Sequence, residues 1–80
     1  MLPPRIKSVA TLPPTRIRLE YVDGQVRVFD MEPLLDRGRF RELRDPSMFA
    51  SAHVDIDTVV WANGMDVDPE YLYEDSIPEE

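Results

Sequence analysis

Eighty residues, 42% of them apolar and 31% charged, suffice for one globular domain and exclude a second core or a disordered chain. The absence of cysteine excludes disulfides and thiolate metal sites, and no apolar run approaches the roughly 20 residues of a membrane-spanning helix. A net charge of −7 argues against autonomous binding of DNA or RNA, whose phosphates need a basic surface.

The chain begins Met1-Leu2-Pro3-Pro4-Arg5, without the apolar stretch of a signal peptide. A secreted domain this small would ordinarily need disulfide staples, so a cytoplasmic setting is expected. The first strand is read from Arg5 to Leu12, bounded by Pro3-Pro4 and Pro13-Pro14, because proline donates nothing to a ladder. In Arg16 to Val22, Ile17, Leu19 and Tyr21 alternate with Arg16, Arg18 and Glu20, which puts one set on a core and the other in water. Asp23-Gly24 then predicts a hairpin into Val26, Val28 and Phe29.

After Asp30 the pattern turns helical but broken. Met31 to Asp36, with Pro33, predicts one or two helical turns ended near Gly38, and Phe40 and Leu43 share one helix face. Asp45-Pro46 reads as a cap and first helical residue, with Met48 and Phe49 anchoring the turn. His53–Ile56 and Thr58–Trp61 read as two short strands turning at Asp57, and Asn63-Gly64 as a further turn. Asp68-Pro69-Glu70 opens a last helical turn carrying Tyr71, Leu72 and Tyr73. The acidic tail from Asp75 to Glu80 is expected to fray.

The expected fold is therefore α+β, a single domain over residues 1–80 with its core in about 5–74. It consists of an antiparallel three-stranded meander, a broken helical segment, two short strands and a short C-terminal helix, with the helices on one face of the sheet. The predicted core is Ile6, Val9, Ile17, Leu19, Tyr21, Val28, Leu34, Leu35, Phe40, Leu43, Phe49, Val54, Val60, Trp61 and Leu72.

One ordered series of features carries a family resemblance. It runs through Asp23-Gly24, Asp30-Met31, Pro33-Leu34-Leu35, Phe40, Leu43, Asp45, Phe49, Val54-Asp55 and Thr58-Val59-Val60-Trp61. It closes with Asn63-Gly64, Asp66, Pro69 and Leu72-Tyr73. From about Ile6 to Tyr73 the chain resembles the DUF2442 family of unknown function. Ala62 stands where that family's Trp-Pro-Asn-Gly has proline, and Asp57 where glycine is common. The resemblance implies a small prokaryotic α+β domain with no established activity. Some relatives carry the module before a helix-turn-helix; others resemble one half of a toxin–antitoxin pair. With no helix-turn-helix pattern after Tyr73, direct nucleic-acid binding is not expected here.

The candidate sites divide as follows. Asp66-Val67-Asp68-Pro69-Glu70 opens like a calcium loop but has Tyr71 at its sixth position and Ile77 at its twelfth, so no metal is expected. Asp55 and Asp57 alternate with Val54 and Ile56 and point outward, without a cleft to separate their pKa values. His53 is the single histidine and lacks co-ligands; Ser47 and Ser51 lie near it without a nucleophile motif. Gly24, Gly38 and Gly64 stand too far apart to cradle a phosphate. No catalytic residue and no cofactor is expected. Arg16, Arg18 and Arg27 form a candidate partner surface if the hairpin register aligns them, and Trp61 is either a core anchor or a binding hot spot.

Charge is uneven along the chain. All nine basic residues lie between Arg5 and Arg44, with six acids among them, for a local +3; Asp45 to Glu80 holds ten acids and no Lys or Arg, for −10. Two solvated faces would account for this, as would an acidic surface offered to a basic partner. The leading functional expectation is a non-enzymatic protein-interaction or regulatory module, the antitoxin-like partner of an adjacent small protein. The alternatives are a small-ligand sensor or enzyme accessory domain, and homo-oligomerisation through an edge strand. No membrane association is expected.

Overall fold

The computed structural model describes residues 3–79. Six strands are laid out in chain order around short helical turns. β1 (Ile6–Leu12), β2 (Arg16–Tyr21) and β3 (Val26–Asp30) come first, followed by 3-10 helices over Glu32–Leu34 and Gly38–Arg44 and by α1 (Pro46–Phe49). β4 (His53–Asp55) and β5 (Thr58–Val60) form a second small sheet; α2 (Pro69–Glu74) and β6 (Ile77–Pro78) close the chain. The main sheet is antiparallel with order β1-β2-β3-β6, so the fold is α+β.

The hairpin forms where alternation and Asp23-Gly24 place it. Tyr21 and Gln25 flank a three-residue loop in which Gly24 has φ 95°, the left-handed conformation such loops require. Asp23 accepts hydrogen bonds from the Gln25 backbone N–H at 3.1 Å and side-chain amide at 2.7 Å, which lowers its pKa. The register pairs Ile17 with Phe29 and Leu19 with Arg27. β1 pairs with β2 from Ile6↔Tyr21 to Leu12↔Arg16, with an irregularity between Ile6 and Ser8.

Both predicted caps are in place. Asp45 accepts from the Met48 backbone N–H at 3.0 Å and Asp68 from that of Glu70 at 3.3 Å, each followed by proline in the first turn. Between Asp30 and Asp45 the chain makes two 3-10 segments. Gly38, at φ 52°, opens the second of these rather than stopping the first.

The core comprises Ile6, Ile17, Leu19, Tyr21, Phe29, Met31, Leu35, Leu43, Phe49, Val59, Trp61, Val67 and Leu72, and all of it lies on one face of the main sheet. Four expected members, Val9, Leu34, Phe40 and Val54, are only partly buried against it. Val28 is corrected outright: pairing of Phe29 with Ile17 turns Phe29 inward and Val28 out. Val60 is corrected likewise, because period two puts Val59, not Val60, on the same side as Trp61. Met31 and Val67 join from loop positions that no periodicity marks.

The expectation of a frayed tail is also corrected. Ile77 and Pro78 pair with Val28 and Arg27 as β6, and the Glu79 N–H donates to the Val26 carbonyl at 2.8 Å. Glu80 lies outside the described residues. No described helix is long and apolar enough to cross a membrane.

Candidate functional site: the open face of the sheet

Because Ile17, Leu19 and Tyr21 face the core, Arg16, Arg18 and Glu20 face the other way, and the register extends this outer face across all four strands. One row runs Leu12, Arg16, Asp30. The next runs Ala10, Arg18, Val28, Ile77. The third runs Ser8, Glu20, Val26 and, beside it, Glu79. None of these residues is buried. The face thus carries apolar groups (Ala10, Leu12, Val26, Val28, Ile77) among charges of both signs.

The charges are partly matched. The Arg18 guanidinium donates to both Glu79 carboxylate oxygens at 2.9 and 3.1 Å, and this contact raises the Arg18 pKa above its ordinary value. The Ser8 hydroxyl donates to Glu20 at 3.1 Å. Arg16 makes no ion pair within 4.0 Å among the described residues. It borders a groove of about 360 Å³ with Val28, Asp30, Asp75, Ile77 and Pro78.

The candidate partner residues separate. Arg16 and Arg18 share the outer face. Arg27 does not, because it sits opposite Leu19 and therefore points to the core side. There its Nε donates to the Ser76 hydroxyl at 2.6 Å and a terminal nitrogen to the Ser76 carbonyl at 2.8 Å, with the guanidinium 4.6 Å from the Tyr73 ring centroid. Trp61 is corrected as a partner-surface residue too. It is 1% exposed, and its indole N–H donates to the Phe49 carbonyl at 3.1 Å. The Arg27–Ser76 clamp was missed. Loop parity carried the signal: in a three-residue loop closed by Tyr21 and Gln25, an inward Tyr21 sends Arg27 inward.

The remaining candidates do local work. His53 is exposed with Nδ1 3.0 Å from the Ser51 carbonyl. Asp57 pairs with Arg5 at 3.1 Å, and Asp68 is spent on capping α2. Among the described residues no group of three or more His, Asp and Glu side chains is placed to hold a metal ion. An open cleft of about 400 Å³ lies between Pro3, Pro4 and Arg5 on one side and Asp57, Asp68, Pro69 and Glu70 on the other. The Tyr21 hydroxyl is buried without a hydrogen-bond partner, and burial pushes its pKa up to about 12.

Comparison with known proteins adds one match. No curated protein and no solved structure matches the chain. The model of the family described as "Protein of unknown function (DUF2442)" matches residues 6–78, nearly the whole length. The series of turns, caps and core positions that produced the earlier resemblance lies inside that span. The chain therefore belongs to the DUF2442 family.

Proposed function

We propose that this chain is a non-enzymatic protein-interaction module that docks its partner on the outer face of the main sheet. The observation that carries the reading is the outer face of the sheet, opposite the core, where Leu12 and Ile77 are exposed and Ala10 and Val28 flank Arg18. An antiparallel sheet can keep one face in water, but apolar side chains exposed among charges on that face are a surface that a partner could cover. The first partner to test is the product of the adjacent gene, in the antitoxin-like arrangement.

The experiment is co-expression and co-purification with that product, repeated with the double variant Ala10→Glu and Leu12→Glu. The complex should form with the unaltered chain and be lost with the variant, whose urea midpoint should stay unchanged because neither residue is buried. Capture unaffected by both substitutions would remove the outer face from consideration. The small-ligand reading has a foothold in the cleft beside Pro3 and Pro4, but that cleft is open and crossed by the solvent-exposed Arg5–Asp57 pair.

A further inference from the structure

The fourth strand of the sheet is a light attachment. Ile77 is 69% exposed, so its pairing with Val28 buries little. Pro78 has no N–H to donate, and it lies at the one position of the strand where the ladder asks for none. The Arg18–Glu79 pair stays open to solvent, where ion pairs contribute little. The residue just before is held quite differently. Ser76 is buried, its hydroxyl donates to the Tyr73 carbonyl at 2.7 Å, and Arg27 grips its hydroxyl and carbonyl. Ser76 is thus held on the core side, whereas Ile77–Glu79 beyond it are exposed and fastened by backbone pairing to Val26 and Val28 and by that open ion pair.

We propose that the β3 edge is a strand-addition site, occupied in cis by Ile77–Glu79 and open in trans to an extended segment of another protein. The inference goes beyond face docking: it concerns the edge of the sheet and stands even if the face binds nothing. The chemistry of the incoming segment is that of the strand it displaces. It runs antiparallel to β3, sets an apolar residue beside Val28 and, two residues on, an acid against Arg18, while Val26 and Val28 offer their edge backbone groups.

The test is titration of the ¹⁵N-labelled full chain with an acetylated peptide of sequence Ser-Ile-Pro-Glu-Glu, read by amide shifts. Shifts should be confined to Val26–Asp30, Ile77 and Glu79. Glu79→Lys, which weakens the cis strand and leaves β3 intact, should tighten peptide binding about twofold by raising the open fraction. A peptide with Lys in place of its first Glu should bind more weakly, and the Leu12→Glu variant, whose cross-strand partner is Arg16 rather than Arg18, should bind the peptide as the unaltered chain does. No shifts along β3 at millimolar peptide in the Glu79→Lys chain, or equal binding of the two peptides, would overturn the proposal. A mass increase without peptide would reassign the edge to self-association and overturn it equally.

Discussion

Ile56 is the most strained residue described. It occupies the first position of the two-residue β4–β5 turn with φ 56°, a conformation in which a β-branched side chain crowds its own backbone, and it is 81% exposed, so little packing offsets the cost. Asparagine tolerates that backbone far better. Ile56→Asn is therefore expected to stabilise the fold by about 1 kcal/mol, read as a rise in urea midpoint. A fall would mean that Ile56 makes contacts its exposure does not reveal. Sequence reading put the turn at Asp57 and missed this neighbour, because nothing in Asp55-Ile56-Asp57 announces a left-handed isoleucine.

At the scale of elements, two arginines of the same sheet do different work. Arg27 joins β3 to the end of α2 through Ser76 and stacks on Tyr73, whose ring meets Tyr21 edge-on at 5.3 Å between centroids. Arg16 stands in solvent on the outer face. Arg27→Ala should cost about 2 kcal/mol, because it breaks charge-assisted hydrogen bonds in a partly buried site. Arg16→Ala should stay within about 0.5 kcal/mol. Equal effects in paired denaturation curves would contradict the assignment of faces. The hairpin was legible from Ile17-Leu19-Tyr21 and Asp23-Gly24, but the direction of Arg27 depended on the loop having three residues rather than two.

For the whole molecule, charge sets the pH response. Asp23, Glu42 and Asp45 titrate below their ordinary values: Asp23 through the Gln25 amide and N–H, Glu42 through Asn63 and then Arg39, and Asp45 through Ser47 and then the Met48 N–H. A carboxyl lowered on folding contributes stability above its unfolded value, and that stability is lost as pH falls through the folded value. Tyr21, raised to about 12, acts at the other end: its contribution is complete below the ordinary 10 and disappears as pH rises through 12. The urea midpoint should therefore hold a plateau between about pH 5 and 10 and fall on both sides. A midpoint that rises on acidification below about pH 4 would show relief of the net −7 charge outweighing these contacts. The lopsided charge is bridged across the fold by Arg5–Asp57 and Arg18–Glu79, while Arg39 and Arg44 pair with acids of their own segment.

The sequence alone determined what period and local chemistry encode. Alternation marked β2, proline and glycine marked the boundaries, and Asp45 and Asp68 marked the helix caps, since each of these preferences is satisfied within a few residues. Tertiary structure decided what depends on distant partners. It buried Trp61 against the Phe49 carbonyl and drew Ile77 and Pro78 onto β3, where Arg27 holds the neighbouring Ser76. These contacts join residues 12 and 49 apart in the chain, and no local pattern carries them.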